Sequence, residues 1–528
     1  MIDSLLSLTQ SPVCRIIAST VFIIYLTIFL RFILKSTKDN RRLPSGVFKI
    51  TGFLPYLILL AVGFYQAKWQ MFAFLDPDFL RVQRGFDPRG DLIGSRFHRG
   101  AIFDSNQELL AYDFENDNYL LRQYPIGPAA AHLIGYHHPI FGSSGLEKTL
   151  DASLMGRRVQ SAGDFFRLLA NGLVHRELRG NPVTLTIYSD LQKTAYKILE
   201  NQTGAIVAMD PRDGSILAMV SSPSFDPNLL NKEYFESLRK SKESPFLNRA
   251  IHGLYPPGST FKCLIALQSL NLNLKKTYKC TSKGFVTGDG SPALHDYQYY
   301  VSEQRREEYT GHGQLALDEA LSKSCNVYFA FLSQDLGADR ILEITERAGF
   351  NKEIPPAQIG LTGKRGNVPE KGNLTNARLA RLAIGQDELL VTPLHLALVA
   401  GAIGGDGTLY KPKYLKKIKP EPWISLTDQR TATELARKLI HAVEAGTGHS
   451  ARIPGIIVGG KTGTAENSSG NSHALFIGFA PWPDPRMAIA VVLEQGGFGG
   501  QAAAPAAAKM FMAADELGLF NDDRQDGN

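Results

Sequence analysis

Pro256-Pro257-Gly258 halts whatever precedes it, because proline lacks a backbone N–H and glycine tolerates angles that other residues avoid. Ser259-Thr260-Phe261-Lys262 follows, and then the apolar run Cys263, Leu264, Ile265, Ala266, Leu267. Apolar side chains at 261, 264, 265, 267 and 270 predict a mostly buried helix over residues 259–270. Ser259 falls in its first turn, where unpaired N–H groups and the positive dipole end favour a developing anion. Lys262, three residues on, projects from the same face. A hydroxyl beside an amine at such a helix start suits a nucleophile for covalent acyl transfer. The bland alternative is an ordinary N-cap serine. A second Ser-x-x-Lys, Ser237 to Lys240, sits in a charge run that reads as solvated surface.

Two further stretches decide the matter. Ser324-Cys325-Asn326 lies between apolar segments, and Lys461-Thr462-Gly463-Thr464 follows a strand-like run flanked by glycines. Alone, either is weak: Ser469-Gly470-Asn471 also fits Ser-x-Asn, in a predicted hairpin loop. Ser-x-x-Lys, Ser-x-Asn and Lys-Thr-Gly in that order, spread over about 200 residues, form the motif set of penicillin-binding proteins and class A β-lactamases. The chain resembles the class B penicillin-binding proteins. No Gly-x-Ser-x-Gly elbow is present, which removes the support for a Ser-His-Asp hydrolase.

At 528 residues the chain exceeds one ordinary domain. Hydrophobic content of 44% is that of a globular protein, and a net charge of +6 is too mild at this length to indicate nucleic acid. Cys14, Cys263, Cys280 and Cys325 contain no Cys-x-x-Cys pair, so neither a zinc ribbon nor a disulfide-dense scaffold is indicated; a Cys280–Cys325 bridge stays open. Residues 16–30 are nearly uncharged, 32–34 extend them past Arg31, and a second apolar stretch covers 50–65. Between them lie Arg31, Lys35, Lys38, Arg41, Arg42 and Lys49 against one acid, Asp39. Positive-inside bias predicts transmembrane helices at 16–34 and 50–67, a cytoplasmic loop at 35–49, and residues 1–15 and everything after 67 outside. If the first stretch only lies at the interface, the second still exports the same region. No Ala-x-Ala site marks a cleaved signal peptide.

Arg99-Gly100-Ala101-Ile102-Phe103-Asp104-Ser105-Asn106 and Gly142-Ser143-Ser144-Gly145-Leu146-Glu147 are similar to patterns in the family's N-terminal pedestal, with Ser105 where relatives usually carry arginine. The resemblance implies an elongated pedestal domain at 68–200, an α+β transpeptidase domain at 201–518 (antiparallel sheet flanked by helices, plus a helical lobe) and a flexible tail at 519–528. It implies peptidoglycan D,D-transpeptidation on stem peptides in cell-wall biogenesis and cell shape, through a serine acyl-enzyme that β-lactams trap, in a bacterial inner membrane with the catalytic domain extracytoplasmic. The alternative is a β-lactam sensor or β-lactamase on the same fold. Site roles follow: Ser259 as nucleophile, Lys262 as base, Ser324 as proton relay, Lys461 keeping the cluster electropositive, and Asn326, Thr462, Gly463 and Thr464 binding substrate. Backbone N–H groups of Ser259 and Thr464 form the oxyanion hole. No segment remains for a glycosyltransferase, so the resemblance implies a SEDS-family glycan polymerase as partner. Some elongation-type members carry zinc between the first two motifs, where Cys280, His295, Asp296 and His312 lie here; their spacing matches no compact ligand motif, and no metal or cofactor is assigned.

Overall fold

The computed structural model describes residues 97–116, 119–156, 178–466 and 470–521. The predicted spans at 16–34 and 50–67 lie outside them. Among the described residues, no helix is long and apolar enough to cross a membrane.

The described part of the pedestal is built from short strands: Ile102–Phe103, Leu109–Asn116, Tyr119–Gln123 and Val183–Thr184 form one sheet. Arg99 and Glu147, which lie in two separate sequence patterns, meet there: Arg99 Nε donates to Glu147 Oε2 at 2.6 Å, with Glu147 wholly buried. Arg122 Nε takes the other oxygen at 2.7 Å, and the guanidiniums also reach Asp113 and Asp151. Charges this deep persist only when each is paired, since a lone desolvated ion costs several kcal/mol. Gly100 needs its missing side chain, because a Cβ would lie 2.1 Å from Asn181 O. Asp104, fully buried, accepts from the N–H groups of Asn106, Glu108 and Ser189, while Ser105 N bonds Ile187 O at 2.8 Å.

The sheet of the larger domain has strands β1 (Gly204–Met209), β2 (Ile216–Ser222), β3 (Gly459–Ala465), β4 (His473–Ala480) and β5 (Met487–Leu493). Their order is β2-β1-β5-β4-β3, all antiparallel, with β3 on the edge. β1 and β5 are buried along their whole length, so they read as continuous apolar runs without the alternation of a half-exposed strand. Helices α1 (Ser189–Ile198) and α6 (Ala503–Glu516) cover one face, sharing a core with Ile206, Phe476 and Val491. Pro505 falls in the first turn of α6, where its missing N–H is harmless. The other face is closed by α4 (Pro393–Gly404), all twelve of whose residues are buried; Thr392 caps it by accepting from His395 N. A helical lobe holds α2 (Lys262–Asn271), α3 (Asn326–Arg347) and α5 (Gln429–Glu444). One apolar core runs from Ile102, Leu110 and Leu146 of the pedestal to Val207, Leu264 and Leu394.

Candidate active site

The predicted halt at Pro256-Pro257-Gly258 folds as a tight 3-10 turn, Gly258–Thr260, that feeds directly into α2. Gly258 adopts φ +53°, and a Cβ there would lie 2.6 Å from Thr464 O. Gly385 closes in from the other side: its O accepts from Gly258 N at 2.9 Å, and its own Cβ would meet Gly258 O at 2.0 Å. The turn bearing half-buried Ser259 is thus wedged between β3 and residue 385. Gly463 is a glycine for the same reason, since a Cβ would press on Thr260 at 2.8 Å.

Lys262, wholly buried in the first turn of α2, donates through Nζ to Ser324 O at 2.7 Å and Asn326 Oδ1 at 2.6 Å, and lies 3.4 Å from Ser324 Oγ. Lys461, equally buried on β3, donates to Ser324 Oγ at 2.8 Å and Thr462 O at 3.0 Å. The Ser324 hydroxyl therefore stands between two amines. Ser324 holds φ +55°, a left-handed backbone that costs a non-glycine residue on the order of 1–3 kcal/mol. Asn326 opens α3, gives its Nδ2 to His295 O at 3.0 Å and its backbone N–H to the Asp296 carboxylate.

Burial pushes the Lys262 amine down to about 8, against the opposing pull of Asp296. Burial, reinforced by the Lys262 charge, takes Lys461 down to about 7. Both amines thus have neutral forms within reach near neutral pH, as a proton acceptor requires. Thr462 Oγ1 shares a 2.8 Å hydrogen bond with Thr447 Oγ1, and Gly499 N approaches Thr464 Oγ1 at 3.5 Å.

The three motifs therefore converge on one cleft: Lys262, Ser324, Asn326 and Lys461 share a hydrogen-bond network, and Gly463 and Thr464 pack against the Ser259 turn. Sequence reasoning missed Gly385 and Thr447, which touch the motifs only in space. It also missed the role of Asp296 as the acceptor that fixes Asn326.

Asp296 belongs to a second cluster. Cys280 Sγ, a carboxylate oxygen of Asp296, His312 Nδ1 and Cys325 Sγ lie within 4.8 Å of one another. Both thiols are free, and Asp296 Oδ2 is approached by Cys280 Sγ at 2.9 Å, His312 Nδ1 at 3.3 Å and Cys325 Sγ at 3.5 Å. The Cys325 hydrogen bond draws the Cys280 thiol down to about 6, within reach of the thiolate that metals bind. Two sulfurs, an imidazole and a carboxylate aimed at one buried point fit a zinc-type cation. No metal was assigned from the sequence because the spacing is irregular. The fourth ligand is Cys325, the middle residue of the second motif, and His295 is not among the four. A cation held there would supply no chemistry to the reaction; it would pin residues 280–312 to the start of α3.

Comparison with known proteins follows the same lines. The family described as penicillin binding protein transpeptidase domain matches residues 204–513, and that described as penicillin binding protein A dimerisation domain matches residues 99–183. The peptidoglycan D,D-transpeptidase PbpA of Mycolicibacterium smegmatis is 33% identical over 443 residues, covering 77% of this chain and 87% of that protein. The peptidoglycan D,D-transpeptidase MrdA of Acinetobacter baumannii is 31% identical, covering 73% of this chain and 65% of its own length. The ceftriaxone acyl-enzyme complex of penicillin-binding protein A from M. tuberculosis superposes with a TM-score of 0.72 at 30% identity, over 80% of this chain and 99% of that one. The converging motifs, the five-stranded sheet between its helices and these likenesses lead to one conclusion: the chain belongs to the penicillin-binding-protein transpeptidase family.

Proposed function

We infer that the chain is a serine-type peptidoglycan D,D-transpeptidase that cross-links stem peptides and is acylated by β-lactams. The observation that carries this reading is the Ser324 hydroxyl held between the Lys262 and Lys461 amines beside the Ser259 turn. Ser259 Oγ attacks the carbonyl of the penultimate D-alanine of a stem peptide. Lys262, as the neutral amine, takes the hydroxyl proton. The proton passes by way of Ser324 to the leaving nitrogen as the C–N bond breaks, and D-alanine departs. An acceptor amine then attacks the ester, returns its proton through the same groups and frees Ser259. Lys461 keeps the cleft electropositive for the terminal carboxylate, toward which Thr464 offers a hydroxyl. Because Thr462 engages Thr447, its contribution is to hold β3 in register with residue 447 as well as to face substrate. The N–H groups of Ser259 and Thr464 stabilise the oxyanion, each such donor contributing about 3–4 kcal/mol in sites of this kind.

The apolar stretches at 16–34 and 50–67 support anchoring in the bacterial inner membrane with the catalytic domain outside. A SEDS-family polymerase is the partner that would supply glycan strands, a reading that rests on the resemblance to class B penicillin-binding proteins. Membrane pull-down tests this, and failure to recover a polymerase removes it.

The deciding experiment is intact-protein and peptide mass spectrometry after exposure to a fluorescent penicillin. The adduct is expected on Ser259, persisting for many minutes, and absent from Ser259→Ala. Labelling that survives Ser259→Ala overturns the nucleophile assignment, and release within seconds makes the chain a β-lactamase.

A further inference from the structure

None of the nine residues of the helix Tyr297–Arg305 is buried. A helix this short is marginal without packing. It is fastened at its start, by Asp296 on the Asn326 N–H and by the rings of His295 and Tyr299 stacked at 3.8 Å. Its first residue, Tyr297, therefore stands on the Asn326 side of the cleft, half exposed at 49%.

Facing it is Phe498, within Gly496-Gly497-Phe498-Gly499-Gly500. That loop lies flush on β3: a Cβ at Gly499 would be 2.3 Å from Gly463 O, and Gly499 N approaches Thr464 Oγ1 at 3.5 Å. Phe498 is thereby fixed beside Thr464. The Tyr297 and Phe498 rings meet with centroids 4.5 Å apart and planes tilted by 52°. They join the two walls of the cleft, and no step of the reaction uses either ring. β3 is the free edge of the sheet, the place where an extended peptide adds as a further strand.

We propose that Tyr297 and Phe498 form an aromatic clasp that closes over the extended stem peptide and selects it over compact acylating agents. This rests on the transpeptidase reading. Both rings give a peptide apolar cover upstream of the scissile bond, and a small bicyclic lactam is short enough to react without it.

The test uses the full chain in detergent, with D-alanine release from a synthetic pentapeptide ending in D-Ala-D-Ala and acylation by benzylpenicillin followed in parallel. Tyr297→Ala and Phe498→Ala are each expected to raise KM for the pentapeptide about tenfold with kcat within about twofold, the range that one aromatic contact supplies. Tyr297→Phe should stay near wild type. The double alanine variant should be no worse than the worse single one, because each ring works through the other. Benzylpenicillin acylation should change less than about threefold. The clasp is overturned if KM is unchanged, if both reactions fall equally, or if the two substitutions add. If wild type fails to form the benzylpenicillin adduct at all, the underlying functional reading falls instead.

Discussion

Lys262 and Lys461 are charged groups placed where charge is least welcome. Their depressed proton affinities set the pH behaviour. In the unfolded chain both amines hold their protons to about 10.5; in the folded protein they release them near 8 and 7. The unfolded state thus binds more protons between about 7 and 10.5, and this pair makes stability rise with pH across that window. The destabilisation is fully present below 7. Penicillin acylation should likewise rise with pH and level off with an inflection near 7–8; a stopped-flow profile inflecting only above 10 would mean that neither amine is the base. Gly385 yields a second expectation. Gly385→Ala drives a Cβ into Gly258 O from a residue at φ +75°, and should cost roughly 2–4 kcal/mol in denaturant melts while sharply slowing acylation. The motif residues that meet in the candidate site were legible in the sequence because each motif is a short local pattern on one element. Gly385 and Thr447 were not, since a lone glycine or threonine acquires its role only from the backbone or hydroxyl that the fold places beside it.

At the level of elements, legibility followed burial. The β1–β2 hairpin could be read from Pro211-Arg212-Asp213-Gly214, and Gly214 indeed takes φ +77° with Lys411 O where a side chain would go. α4, apolar along its length except at His395, is buried at every position. The pedestal strands Ile102–Phe103 and Val183–Thr184 are two residues each, too short to carry periodicity. The segment from Cys280 to His312 was opaque for another reason: its short strand Tyr278–Cys280 and exposed helix are held by polar side chains that converge from four places. If a zinc-type ion pins them, purified protein should carry about one equivalent by elemental analysis, strong chelation should lower Tm, and Cys325→Ser should abolish both the metal content and the chelator effect. A chain whose Tm ignores chelation would make the cluster a hydrogen-bonded one only.

For the whole molecule, the buried Arg99–Glu147–Arg122 group sits against the same apolar core that reaches α4 and the sheet. Glu147→Ala removes the carboxylate that both guanidiniums share, leaving Arg99 with Asp151 and Arg122 with Asp113, and should destabilise by roughly 2–3 kcal/mol, read as one shifted transition and not a separate early melt of the pedestal. Removal of residues 1–67 should move the chain from the membrane fraction to the soluble one; a full-length chain found soluble would remove the anchor. The continuous core has a mechanical meaning as well. A lever bolted to its load cannot swivel, so a torque applied to the strands between residues 102 and 123 would reach the Ser259 turn undiminished.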